Sequence, residues 1–222
     1  VIAISTDRPD QTESTSVVQP GYIQIEAGAV YTESDSFGTS STPGLLIRTG
    51  LSGFCELRLG VDGWPIPEKG SIVFGDSRIS TKVHFGNESG LIPETAILAE
   101  MSIPTGEEGN SSERCDPMVK FIFKNTLNDM MSVGYNAAIA WQTAEYTPGK
   151  KTTLAVMPYS ASLGIGLSEK AGMFAEIYGE APINAQGDAT ILIDSGFTYL
   201  ITDTFQIDCS GGVGLNDSAD DW

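Results

Sequence analysis

The chain has 222 residues, with 12 Lys and Arg against 29 Asp and Glu, and its formal net charge is −17 at pH 7. This excess of acid argues against nucleic acid as a partner, because phosphate backbones are bound by clustered Lys and Arg. The charged fraction is only 18%, and apolar residues run throughout, which argues against disorder. Three scattered cysteines without a CxxC pair give no zinc or redox signature.

The hydrophobic pattern has a period of two nearly everywhere, which is typical of β-strands with one apolar and one polar face. Residues 22–31 show it clearly, and the same alternation recurs over 55–62 and 205–213. Pro158 and Pro93 are the weakest points of this assignment, because proline cannot donate to a strand ladder. The eleven predicted strands are 21–34, 44–51, 54–63, 70–86, 91–104, 117–126, 129–142, 152–167, 171–181, 189–201 and 204–215.

The predicted connections alternate in length along the chain. Tight turns are expected at 51–53, 127–129, 167–169 and 201–203, with a slightly longer one at 87–90. Long polar loops are expected near 34–43, 63–70, 105–116, 142–151 and 181–188, and after 215. Short turns at one end and long loops at the other are typical of an outer-membrane barrel. A soluble β-sandwich also has frequent turns, but this strict alternation is not expected of it.

Charges of both signs share the polar faces of the strands, and the apolar faces often carry an aromatic residue at one end. In a barrel that spans lipid, the apolar face is outside, aromatic girdles mark the interfaces, and the charges line the lumen. In a soluble sandwich, the alternative, the same charges form the solvated outside. The predicted lumen-lining residues are Glu26, Arg48, Glu56, Arg58, Asp76, Arg78, Lys82, Glu100, Lys120, Lys124, Glu176, Asp194 and Asp208.

Residues 1–20 precede the first predicted strand and carry several charges. Two placements stay open for them. They form a solvated periplasmic tail, or they tuck into the barrel and pair with lumen charges such as Arg48 and Arg58. Burial of these charges is tolerable only if they are paired.

The single histidine, His84, shares the parity of Arg78 and Lys82. We therefore expect a hydrogen-bonded lumen residue near a periplasmic turn. The alternative is the base of a Ser–His pair in a barrel lipid hydrolase. No enzymatic activity and no catalytic residue are predicted.

Two further groups of residues are candidate sites. Cys55 and Cys209 lie on apolar faces and Cys115 lies in a loop, which does not favour a disulfide. The acidic run 107–110 with Asp116 lacks the spacing of an EF-hand, so a plain acidic loop is favoured over a calcium site. The sequence predicts no metal and no cofactor.

Strand parity predicts that the barrel over 21–222 lacks its final strand. Eleven strands and a periplasmic start leave the chain on the outer side, whereas bacterial single-chain barrels have an even strand count. A twelfth strand of about ten residues is therefore expected beyond residue 222.

The opening run Thr6-Asp7-Arg8-Pro9-Asp10-Gln11-Thr12-Glu13-Ser14, followed by the motif at 21–28, resembles the family known as putative MetA-pathway of phenol degradation. Further similarities lie at 56–60, 103–106, 196–199 and 214–216. The resemblance implies an outer-membrane barrel of Gram-negative bacteria, described as a transporter, and brings no catalytic residues. It also implies that the transported molecule is small and aromatic or hydrophobic.

The sequence thus predicts an all-β protein, a transmembrane antiparallel up-and-down β-barrel of twelve strands when complete. A barrel of that size is expected to form a narrow or partly plugged channel for passive uptake of a small solute across the bacterial outer membrane. Its partners are then outer-membrane lipid and the solute. The alternative is a non-transport scaffold or adhesion barrel whose acidic loops bind a partner or a cation.

Overall fold

The computed structural model describes residues 4–34, 38–61, 75–107, 111–147 and 150–219. No helix in these ranges has the length and apolarity needed to cross a bilayer. The described residues form eleven strands: β1 (Ile23–Ser34), β2 (Gly38–Ser52), β3 (Cys55–Val61), β4 (Ser77–Gly86), β5 (Glu94–Ile103), β6 (Asp116–Asn128), β7 (Met131–Thr147), β8 (Lys150–Gly166), β9 (Ala171–Pro182), β10 (Leu192–Thr202) and β11 (Phe205–Gly214).

The strands form one sheet in chain order, and each strand is antiparallel to the next. This confirms the predicted all-β, up-and-down architecture. Within the described residues β1 and β11 each pair with one neighbouring strand, so backbone hydrogen bonds do not close the sheet. The twelfth strand stays a prediction.

Two of the predicted long loops are wrong. The β1–β2 ladder extends to the pair Ser34 and Gly38, so most of the predicted loop at 34–43 is strand. The β7–β8 ladder extends to Thr147 and Lys150, which replaces most of the loop predicted at 142–151. Backbone groups make the ladder, so two extended polar segments can continue pairing after the apolar alternation has ended.

The remaining connections follow the predicted sidedness. Short turns follow β2, β6, β8 and β10, and residues 87–93 form a slightly longer connection between β4 and β5. At the other end, residues 104–115 and 183–191 form longer connections, in which 108–110 lie outside the described residues. The loop predicted at 63–70 and the first part of the strand predicted at 70–86 also lie outside them.

The two faces of the sheet differ sharply in exposure. Ile23 and Tyr31 on the apolar face of β1 are 70% and 65% exposed, whereas Glu26 on its polar face is 5% exposed and Arg48 of β2 is 0% exposed. A soluble protein has the opposite arrangement, because charged side chains are almost never fully buried unless they are paired. The polar face is therefore the enclosed inside of the sheet.

The sheet curls around the N-terminal segment (residues 4–20). Gln206 of β11 donates to the Thr6 hydroxyl at 2.8 Å, and the adjacent Asp7 N–H donates to Glu26 of β1 at 3.0 Å. In a flat sheet, ten inter-strand spacings would hold β1 and β11 about 48 Å apart. Adjacent residues can touch both edge strands only because the sheet is rolled into a barrel-like shape.

Candidate functional site

Asp7 lies at the centre of a buried ion cluster inside the sheet. Its carboxylate is 2.7 Å from Lys82 Nζ, 3.1 Å from Arg48 Nη1 and 3.2 Å from Arg58 Nη1. It also accepts hydrogen bonds from the N–H and the hydroxyl of Ser14. Although burial opposes ionisation, these three cations hold the pKa of Asp7 well below its usual range. Side chains of three adjacent strands, β2, β3 and β4, thus bind the Asp7 carboxylate.

The cluster is balanced in charge, which makes its burial tolerable. Arg48 contacts Glu26 at 2.9 Å and Glu56 at 3.0 Å, and Arg58 contacts Glu13 at 2.5 Å. Lys120 approaches Glu13 at 3.7 Å from β6. The members are four acids, Asp7, Glu13, Glu26 and Glu56, and four bases, Arg48, Arg58, Lys82 and Lys120.

Arg48 of β2, Arg58 of β3 and Lys82 of β4 form what we call the basic wall. This wall also binds the backbone of the N-terminal segment. Lys82 Nζ donates to the carbonyl of Ser14 at 2.9 Å, and Arg48 Nη2 donates to the carbonyl of Ser16 at 3.1 Å. Side-chain donors here replace the strand ladder that the segment lacks, which satisfies backbone groups that are far from bulk water.

Glycine at two inner positions lets the segment lie directly on the sheet. The carbonyl oxygens of Val18 and Gln19 occupy the space where a Cβ of Gly50 would lie. At Gly134, a Cβ would meet the Thr12 methyl group at 3.1 Å. The absent side chains are therefore what permits this close backbone approach.

Glu176 of β9 and Asp194 of β10 form the acidic wall, on the far side of the same segment. They are register partners, and Glu176 accepts hydrogen bonds from the Gln11 N–H at 2.8 Å and from the Thr12 hydroxyl. Asp194 is 5% exposed, and neither of its carboxylate oxygens has a hydrogen-bond partner among the described residues. Burial and the nearby Glu176 carboxylate raise the pKa of Asp10 to about 8.

Four predicted lumen residues have other surroundings. Asp76 precedes β4 and accepts hydrogen bonds from the N–H groups of Gly106 and Ser112, which fix the β5–β6 connection. Against the opposing effect of burial, hydrogen bonds from this connection lower the pKa of Asp76. The Arg78 side chain is 42% exposed and lies 3.7 Å from Glu100. Asp208 pairs in register with Thr198 on the polar face but is exposed, because β11 is an edge strand.

His84 lies on the polar face near the short turns. Its Nδ1 is 3.3 Å from the carbonyl oxygen of Thr15 and 3.5 Å from Glu94 Oε1, and its Nε2 is 3.1 Å from Asn87 Oδ1. It therefore forms part of the contact between the segment and the sheet.

All three cysteines are free thiols. In the part of the chain that the structure describes, no group of three His, Cys, Asp or Glu side chains is placed to hold a metal ion. Residues 108–110 of the acidic run weighed as a calcium site lie outside that part.

An apolar patch on the inner face was missed by the sequence reasoning. Leu98 of β5 lies in register with Lys82 and Lys120 and is 0% exposed, and it packs with Ala96, Ile122 and the partly buried Met118. The signal was present, because apolar residues run consecutively over 96–99 and 121–123 and interrupt the alternation. Such runs indicate strands that are buried on both faces.

A cavity of about 470 Å³ remains at the short-turn end, between residues 4–10 and the inner face of β6–β11. Lys124, Asn128, Phe174 and Gln206 are among its lining residues. The segment therefore occupies the middle of the enclosed space and leaves a vestibule at this end.

Comparison with known proteins agrees with this architecture. A family model described as "Putative MetA-pathway of phenol degradation" matches residues 6–222. No curated protein matches the chain. The match begins within the N-terminal segment and spans all eleven strands of the described residues, and the chain belongs to this family.

Proposed function

We propose that the protein is a bacterial outer-membrane barrel that forms a narrow channel for passive uptake of a small solute. The observation that carries the proposal is the inverted sheet, which buries mixed charges inside and exposes isoleucines and aromatic rings outside. Lipid stabilises such an apolar exterior, and transmembrane barrels have this alternation. The N-terminal segment lies across the lumen and narrows it.

The inner surface supports a solute with an apolar body. Ile4, Pro9 and Phe174 line the vestibule together with Lys124 and Gln206, so apolar and polar groups face the same space. Pockets for small organic molecules combine an apolar lining with a few polar groups in this way. The description of the family points to an aromatic solute. We propose no catalytic step, and His84 is assigned a role in contacting the segment.

Single-channel recording in planar bilayers tests the channel. Lys124 lines the vestibule, so Lys124→Glu should shift ion selectivity towards cations, since charges in a pore set its selectivity. Lys150→Glu is the matched control, because Lys150 is exposed at the opposite end in β8. Selectivity that responds equally to both variants would contradict the placement of Lys124 in the pore.

Solute class is tested by liposome swelling with ionised aromatic and aliphatic carboxylates of similar size, which cross pure lipid slowly. Faster entry of the aromatic anion supports an aromatic solute. A protein that inserts as a folded barrel but never conducts and never causes swelling would contradict the channel and favour the scaffold.

A further inference from the structure

The acidic wall differs from the basic wall because it presents carboxyl groups, and no cations, to the N-terminal segment. Three carboxyl groups meet there, from Asp10 of the segment, Glu176 of β9 and Asp194 of β10. In the described residues, none of the ion pairs involves any of the three. Three negative charges in one place repel one another, and this repulsion disfavours ionisation of all three carboxyl groups together.

Hydrogen bonds join the segment to the acidic wall at one of its carboxylates. Glu176 accepts from the Gln11 N–H and the Thr12 hydroxyl. Asp194 is buried and has no hydrogen-bond partner among the described residues. Asp10 belongs to the N-terminal segment, so its ionisation adds repulsion between the segment and the sheet.

Other charged groups face this region from the neighbouring elements. Asp7 adds a further negative charge from the segment itself and contributes to the repulsion felt by Asp10. Lys124 of β6 and Arg8 line the vestibule that Asp10 also lines. His84 of β4 contacts Thr15 and is the second titratable group at the contact between segment and sheet.

We propose that the N-terminal segment is a proton-controlled gate, docked on the acidic wall while Asp10 is protonated and released from it when Asp10 ionises. The inference rests on the proposed channel function for its consequence, which is that conductance rises with pH. Burial and Glu176 raise the pKa of Asp10 to about 8, so the loss of docking is complete near pH 8. The basic wall holds the other part of the segment, so release is local and reversible.

The test measures conductance of the full chain in planar bilayers from pH 6 to pH 9. The wild type should show low conductance at pH 6 and a several-fold rise through pH 8. Asp10→Asn keeps the size and hydrogen-bonding capacity of the side chain but cannot ionise, so its conductance should stay low throughout. Asp217→Asn, the matched control at an exposed position beyond β11, should retain the rise. A rise that persists in Asp10→Asn would overturn the assignment to Asp10.

Hydrogen exchange of the Gln11 amide separates the gate from the channel, because this amide donates to Glu176 only in the docked segment. After correction for intrinsic rates, its protection should fall about tenfold per pH unit as the pH rises towards 8, the slope for release of one proton, and should level off above 8. Loss of protection without any conductance would refute the channel and support the gate. Protection that does not change with pH would refute the gate, whatever the conductance.

Discussion

The basic wall and the acidic wall bind the same segment by opposite physical means. At the basic wall, Asp7 and Glu13 enter a set of four acids and four bases, and every charge has an opposite neighbour. At the acidic wall, Glu176 binds the segment through an N–H and a hydroxyl, while Asp10 and Asp194 add acid without compensation. Buried ions are tolerated when they are paired, and like charges disfavour ionisation.

One part of the N-terminal segment is therefore anchored to the sheet, whereas the binding of the other part depends on protonation. Residues around Asp7 and Ser14 are tied to β2, β3 and β4 by charge-assisted bonds, which are the stronger kind. Residues 10–12 depend on a contact whose strength varies with protonation. Such a division allows local movement while the segment stays attached.

The largest expected effect comes from removing the centre of the basic wall. Arg48→Met should lower the free energy of unfolding by about 3–5 kcal/mol, because Asp7, Glu26 and Glu56 would lose a buried partner. Urea titration in lipid vesicles, followed by tryptophan fluorescence, measures it. Arg114→Met at an exposed position is the control and should change stability by less than about 0.5 kcal/mol. Equal stability of the two variants would show that the wall does not anchor the segment.

A smaller loss, of docking free energy, is expected at Gly50, where the N-terminal segment lies directly on the backbone of the sheet. Gly50→Ala places a methyl group in the space of the Val18 and Gln19 carbonyls and should cost about 1–3 kcal/mol of docking free energy. Exchange of the Val18 amide, which donates to Glu56 at 2.7 Å, reports the docking. Gly211→Ala meets open space in β11 and should leave that exchange unchanged. Unchanged protection of the Val18 amide from exchange in Gly50→Ala would contradict the close approach of the segment to Gly50.

The two walls should respond to pH in opposite directions. The pKa of Asp7 is depressed by its cations, so its contribution to docking is present above about pH 3.8 and is lost as the pH falls further. The pKa of Asp10 is raised to about 8, so its contribution is complete below pH 3.8 and is lost as the pH rises through 8. After correction for intrinsic rates, exchange of the Ser14 amide, which donates to Asp7, should therefore accelerate as the pH falls below 3.8, and that of the Gln11 amide as the pH rises from 3.8 towards 8. If the exchange rates of the two amides changed with pH in the same direction, the distinction between the basic wall and the acidic wall would be wrong.

The smallest effect is expected at the rim of the ion cluster. Lys120 is 3.7 Å from Glu13, and both side chains are partly exposed, at 15% and 16%. Lys120→Met should therefore cost less than about 1 kcal/mol in the same urea titration. A loss as large as that of Arg48→Met would extend the basic wall to β6.

The strand count and the face of each strand were predictable because side chains alternate strictly in a strand and the pattern is local. The polar ends of two hairpins, over 38–43 and 142–147, were not, because their pairing depends on the partner strand and not on hydrophobicity. The inner position of Leu98 was missed because consecutive apolar residues do not state which face a side chain occupies.

The sequence by itself determined an all-β chain with eleven strands, one apolar and one polar face, and the family to which it belongs. It left open whether residues 1–20 are a tail or a segment inside the sheet. Only the tertiary structure brought Asp7 to three cations on β2, β3 and β4, and Asp10 to Glu176 and Asp194. The physical reason is that alternation is encoded within each strand, whereas these contacts join residues more than forty and up to about 180 positions apart, which meet only after the sheet has curled.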